Sequence, residues 1–87
     1  MMFYTYVLLS ENDKTFYTGF TKDLKKRLNE HQKGSVDSTA HRRPLRLIYY
    51  EACLNENDAI KREKYLKSGS GRRFLRNRIE TYMKDDC

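Results

Sequence analysis

The sequence predicts an α/β (α+β) fold, a three-stranded antiparallel sheet flanked by helices, and three features of the chain predict it. Two runs rich in β-branched and aromatic residues, "FYTYVLL" (3–9) and "TFYTGF" (15–20), stand on either side of the polar segment "SENDK", the pattern of a hairpin. A third run, "LRLIYYEA" (45–52), reads as another strand, and the stretches between and after the strands carry helical periodicity. With 87 residues the chain has room for one modest core, so residues 1–87 are expected to form a single domain. Seven Tyr and four Phe supply large side chains despite a charged fraction of 34%.

In the hairpin, a four-residue turn from Glu11 to Lys14 sets Leu8 opposite Tyr17 and Tyr6 opposite Gly19. Because side chains alternate, all four then share one face. A glycine inside a strand marks either a bulge or a close approach to the backbone. In this register Gly19 leaves open the space beside Tyr6, and the Tyr6 and Tyr17 phenols look out over one patch.

Thr21 is the expected N-cap of the next helix and Gly34 its stop, giving about three turns. Leu24 and Leu28 form its apolar stripe, with Arg27 and His31 one turn apart on the border. "SVDSTAHRR" (35–43) has no period and reads as a loop carrying His41, Arg42 and Arg43 into Pro44. Asn55 caps a helix from about Glu56 to Lys67, "GSG" (69–71) breaks it, and a last helix from about Arg72 to Met83 buries Phe74, Leu75, Ile79 and Tyr82.

At about 100° per residue, Ala59, Ile60 and Leu66 form the buried face of helix 56–67, and Glu63 falls in its middle. A carboxylate among apolar side chains must be paired, protonated or bound to a cation, because an isolated buried charge is very costly. A salt bridge, with Arg27 as one partner, and a metal site are the two outcomes. Two tyrosines beside a glycine, an Arg and His pair and this carboxylate suit phosphodiester hydrolysis. A hard cation neutralises the phosphate, a guanidinium stabilises developing charge, and a base activates water. A tyrosine acting as that base needs its pKa lowered from about 10, with Lys22, Arg27 and the cation as sources of positive charge.

The formal net charge is +6, and the excess is concentrated between Lys61 and Arg78, where eight bases face Glu63 alone. Such a cluster is the footprint of a polyanion partner or a solvated helical face. Lys22, Arg42, Lys67, Arg72, Arg73 and Arg76, with Gly19, are the candidate nucleic-acid contacts. Two cysteines, Cys53 and Cys87, make no disulfide framework and have no metal-binding spacing, so both are expected to be reduced thiols. The opening "MMFYTYVLLS" lacks the basic and apolar regions of a signal peptide or membrane span, so a cytoplasmic protein without membrane function is expected.

"TYV" (5–7), "YTG" (17–19), "RLNEH" (27–31) and "AIKREKYLK" (59–67), in that order and spacing, resemble the GIY-YIG nuclease superfamily, specifically its small stand-alone bacterial members. "LKSGSGRRFL" (66–75) also resembles that subgroup. The resemblance implies a DNA endonuclease, with selectivity for DNA structure and a link to repair or recombination. It also implies Mg²⁺ or Mn²⁺ as cofactor and a place in the bacterial cytosol or nucleoid. Tyr6, Tyr17, Arg27, His31 and Glu63 are then the catalytic set: Tyr17 or Tyr6 helps deprotonate water, Arg27 contacts the scissile phosphate, His31 acts as proton relay or base, and Glu63 holds the metal. Gly19 would let substrate or metal approach the sheet. The central Ile of the second motif is Thr18 here, and Leu75 stands where many relatives carry an Asn, leaving Asn77 as a weak substitute. Repair, homing and branched-DNA relatives join this module to further domains or subunits, so a protein partner supplying specificity is expected. A non-catalytic nucleic-acid-binding module is the alternative.

Overall fold

The structure, a computed structural model, describes residues 1–85; Cys87, expected to be a reduced thiol, lies outside the described residues. Strands β1 (Phe3–Ser10), β2 (Phe16–Thr21) and β3 (Leu45–Cys53) form one antiparallel sheet in the order β2-β1-β3. The central strand β1 is buried from Thr5 to Ser10, which is why its apolar residues run without strict alternation. The expected hairpin register holds, with Tyr6 opposite Gly19 and Leu8 opposite Tyr17. In the turn, Asp13 accepts hydrogen bonds from the Thr15 backbone N–H and hydroxyl. Those bonds, the hydroxyl's first, hold the Asp13 carboxyl down to about 2.

Two apolar clusters lie on the two faces of the sheet. Tyr6, Leu8 and Leu45 pack with Tyr17, Leu24, Leu28 and Leu47 under helix α1 (Leu24–Lys33). Val7, Leu66 and Leu75 pack with Phe16, Ile48, Tyr49 and Phe74 under helices α2 (Glu56–Lys67) and α3 (Gly69–Arg78). A register shift between Val7 and Leu8 makes a bulge in β3. That extra residue lets the neighbours Ile48 and Tyr49 both serve the second cluster while Leu45 and Leu47 serve the first.

Helix α1 is capped by Asp23, whose carboxylate accepts from the Lys26 N–H, and not by Thr21, which ends β2. Thr21 instead uses its hydroxyl to accept from the Asp23 N–H and so shapes the entry to the helix. Gly34 ends α1 with φ +82°, the left-handed conformation that glycine adopts without strain. The loop 35–43 is more ordered than its polar composition predicts, because Val36 and Thr39 are buried and Ala40–Arg42 forms a 3₁₀ turn.

Asn55 caps α2 through the Asp58 N–H, as expected. The GSG segment does not separate α2 from a helix beginning at Arg72; it lies inside α3. Ser68 ends one helix and caps the next by accepting from the Gly71 N–H. A Cβ on Gly71 would lie 1.9 Å from the Tyr65 carbonyl oxygen, so glycine is there because the backbones of α2 and α3 touch. The final helical stretch is also split: α3 ends at Arg78 with Ile79 as its C-cap, and a short helix α4 (Glu80–Asp85) carries Tyr82, which is exposed rather than buried.

Candidate nuclease site

The site grows from the one position where β2 lacks a side chain. A Cβ on Gly19 would meet the Tyr6 hydroxyl and Cζ at 2.5 Å, so the end of the Tyr6 ring lies directly over the glycine. The glycine therefore accommodates Tyr6, correcting the expectation that its open space admits substrate or metal. Tyr6 does not look out over a patch either; its residue is fully buried.

From there the Tyr6 hydroxyl reaches Nε2 of His31 at 2.8 Å, and Nδ1 of His31 lies 2.7 Å from the Thr39 hydroxyl. Thr39 in turn faces the Val36 carbonyl at 3.5 Å. A carbonyl can only accept, so the consistent direction has Thr39 donating to Val36, His31 donating from Nδ1 to Thr39, and Tyr6 donating to Nε2. His31, placed by its spacing on the border of α1, is fully buried. Burial first, and the Arg27 guanidinium second, hold its pKa below the ordinary 6.5, which matches the neutral imidazole this chain of bonds requires. Thr39 has no counterpart among the residues the sequence singles out. It stands in a loop eight residues after His31, and periodicity gives no signal for a contact made by a folded-back loop.

Tyr17 packs its ring against both partners, with centroids 6.4 Å from Tyr6 and 5.3 Å from His31. Unlike Tyr6 it is only partly buried. Arg27 approaches from α1, and its side chain is about one-third exposed while its guanidinium pairs with Glu30 at 3.0 Å. The Tyr6 hydroxyl and then the Glu30 carboxylate favour its charged form. Burial dominates at Tyr6 and pushes its pKa above the usual phenol value despite Arg27. The expected lowering by positive charge is thus not found at Tyr6. Lys22, the other expected source, pairs with Glu56 at 3.5 Å.

Glu63 lies within electrostatic reach of Tyr6, adding to the upward push on that phenol. Its side chain is 20% exposed and its carboxylate meets Lys67 Nζ at 2.9 Å. The partner is therefore Lys67, one turn along α2, and not Arg27. Ile60, expected in the buried face beside it, is partly exposed. No group of three or more His, Cys, Asp or Glu side chains is placed to share a metal among the described residues. Glu63 offers a carboxylate oxygen, the donor type that a hard divalent ion takes, and would have to exchange Lys67 for that ion. One carboxylate does not fit an ion enclosed by protein ligands.

Of the candidate nucleic-acid contacts, Lys67, Arg72, Arg73 and Arg76 are exposed. Arg42 is spent on the hairpin: its guanidinium binds Asp13 at 3.2 Å, the Phe16 carbonyl at 3.3 Å and the Thr15 hydroxyl. Leu75 is fully buried in the second cluster, so its position serves the core, while Asn77 is exposed on α3. No helix among the described residues is long and apolar enough to cross a membrane.

The chain is similar in sequence and in fold to known proteins. The chain is 39% identical over 77 residues to a UPF0213 protein from the ldhD 5′ region of Pediococcus acidilactici, covering 85% of this chain and 78% of the relative. It is 38% identical over 84 residues to a UPF0213 protein of Lacticaseibacillus paracasei, covering 95% and 88%. The solution NMR structure of the UPF0213 protein BH0048 from Bacillus halodurans superposes with a TM-score of 0.54 at 31% identity, covering 86% of this chain and 82% of that one. The family profile "GIY-YIG catalytic domain" matches residues 2–80, a span that holds the whole Tyr6, Tyr17, Arg27, His31 and Glu63 constellation, and the chain belongs to that family.

Proposed function

We propose that this protein is a metal-dependent endonuclease that hydrolyses DNA phosphodiester bonds. The observation that carries the reading is the convergence, from four elements and a loop, of a buried Tyr6–His31–Thr39 chain with Tyr17, Arg27 and Glu63. A fold that only bound phosphates would need none of the buried polar bonds, since surface cations suffice for that.

In hydrolysis, water oxygen bonds to phosphorus, one ester P–O bond breaks, a base receives the water proton and the departing oxygen gains one. Tyr17 is the phenol accessible to such a water. Tyr6 is sealed, so it acts by holding His31 and by fixing the floor against which Tyr17 packs. The Arg27 fork is always charged and suits a non-bridging phosphate oxygen as negative charge develops. Glu63 would hold Mg²⁺ or Mn²⁺, which when bound supplies charge neutralisation at the phosphate. For that, Lys67 would have to release the carboxylate and would then be free to meet a neighbouring phosphate. Selectivity for branched, flapped or single-stranded DNA, a role in repair or recombination, a partner protein that directs the cut and a cytosolic or nucleoid setting belong to the same reading.

The test is cleavage of labelled single-stranded, duplex, flapped and four-way-branched DNA with Mg²⁺, Mn²⁺ or EDTA, comparing the native chain with Glu63→Gln. Metal-dependent cutting that falls by about 10²-fold or more in the variant, with DNA binding retained, is expected. Binding without cutting on every substrate and metal would instead identify a non-catalytic DNA-binding module.

A further inference from the structure

A groove of about 530 Å³ lies between the hairpin and α3–α4, away from the buried Tyr6–His31 chain. Its walls include Lys14, Phe16, Arg72, Arg76 and Met83. Arg72 and Arg76 are exposed, one turn apart on α3, with no ion-pair partner among the described residues. Like charges at that spacing disfavour a helix, and Arg72 also stands in a first turn that has no acidic residue. The one acid on the wall, Glu80, is taken by Lys84 at 3.0 Å. The groove thus combines uncompensated positive charge with an aromatic ring and a thioether.

We infer that this groove binds a single-stranded nucleotide segment of the DNA substrate, with a base against Phe16 and its flanking phosphates on Arg72, Arg76 and Lys14. The inference rests on the endonuclease reading and adds a substrate class to it. Charge complementarity selects a polyanion, and the ring selects one whose bases are unstacked, because paired bases in a duplex present no free face to a side chain. The volume suits a ligand of a nucleotide's size. A second, smaller cavity of about 210 Å³ shares Phe16 and Arg72 with the groove and extends past Tyr17 to Lys67, the partner of Glu63. A strand lying in the groove therefore leads toward the candidate metal ligand.

The experiment measures binding and cutting separately on the full chain. Fluorescence anisotropy in EDTA compares an oligo-dT strand with a duplex for the native protein, Phe16→Leu and Arg72→Gln/Arg76→Gln, while circular dichroism checks that each variant folds. Single-strand affinity is expected to fall about 5- to 100-fold in Phe16→Leu, with duplex affinity unchanged. The double variant is expected to lower the single-strand salt slope by about 1.4, two phosphates' worth. Photo-crosslinking of a 5-iodouracil strand to the native chain, read by mass spectrometry, covers the case in which Phe16→Leu fails to fold, and the crosslink is expected at Phe16. Equal affinity for strand and duplex with Phe16→Leu neutral, or a crosslink on the opposite face at Tyr4 or Tyr50, would overturn the inference. Cutting assays with Mg²⁺ keep the two readings apart. Cutting that persists with neutral groove variants sinks the groove alone, whereas groove-dependent binding without cutting sinks the nuclease reading and leaves the groove.

Discussion

Gly19 and His31 show how a single residue's role is set by what occupies the space beside it. The glycine is not an opening in the sheet: the Tyr6 hydroxyl and ring carbon fill the volume its Cβ would take. His31 is fully buried and hydrogen-bonded at both nitrogens, so protonating it means charging a sealed ring and breaking the acceptor role of Nε2. Its pKa is depressed in the folded state relative to 6.5, and the unfolded chain therefore binds the proton more readily. The resulting stability is fully present above about pH 6.5 and is lost as the pH falls below that value and through the folded pKa. Thermal unfolding followed between about pH 7 and pH 5 should show a falling Tm for the native chain. His31→Gln should be less stable but flatter across that window, and an equal slope in both proteins would place the titration elsewhere.

At the scale of elements, the contact between α2 and α3 depends on a glycine that looks like a helix breaker. Gly71 sits inside α3, where helix propensity alone would favour Ala by about 1 kcal/mol. Geometry reverses that preference, because the added methyl would overlap the Tyr65 carbonyl, a backbone atom that cannot move aside without shifting α2. Gly71→Ala is expected to destabilise the protein by about 1–3 kcal/mol in urea unfolding, the usual cost of overpacking. A neutral or stabilising result would mean that the two helices part easily. Since α2 carries Glu63 and Lys67 and α3 carries Arg72 and Arg76, a shift between them would also disturb the path from groove to carboxylate.

Over the whole molecule, charge and topology act together. The net charge of +6 is not balanced along the chain, and the exposed bases of α2 and α3 lie beside the sheet face that leads to Glu63. DNA affinity should therefore fall steeply with salt. Four phosphate contacts would give a log–log slope of about −2.8 on single strands, measured by anisotropy between low and moderate salt. A slope near zero would indicate an apolar interface and a protein partner in place of DNA.

The sheet, its hairpin register, the span of α2 with its Asn55 cap and the stop at Gly34 were all legible in the chain. They depend on residues close in sequence: a period of two, a turn length and a capping oxygen. Spacing also singled out Tyr6, Tyr17, Arg27, His31 and Glu63 as candidates, of which Tyr6, Tyr17 and His31 touch one another. Their environments could not be read the same way. Whether Tyr6 is sealed, whether Glu63 meets Arg27 or Lys67, and that Thr39 completes the histidine's bonds depend on which surfaces meet after the loop 35–43 folds back. The start of α3 at Gly69 was hidden for a related reason. A glycine's local preference is to end a helix, and at Gly71, two residues further on, only the backbone of the neighbouring helix, 1.9 Å from its missing Cβ, makes glycine the residue that fits. Local chemistry settled where the elements run, and contact between distant surfaces decided what each side chain touches, because burial and pairing are properties of the space that two elements enclose.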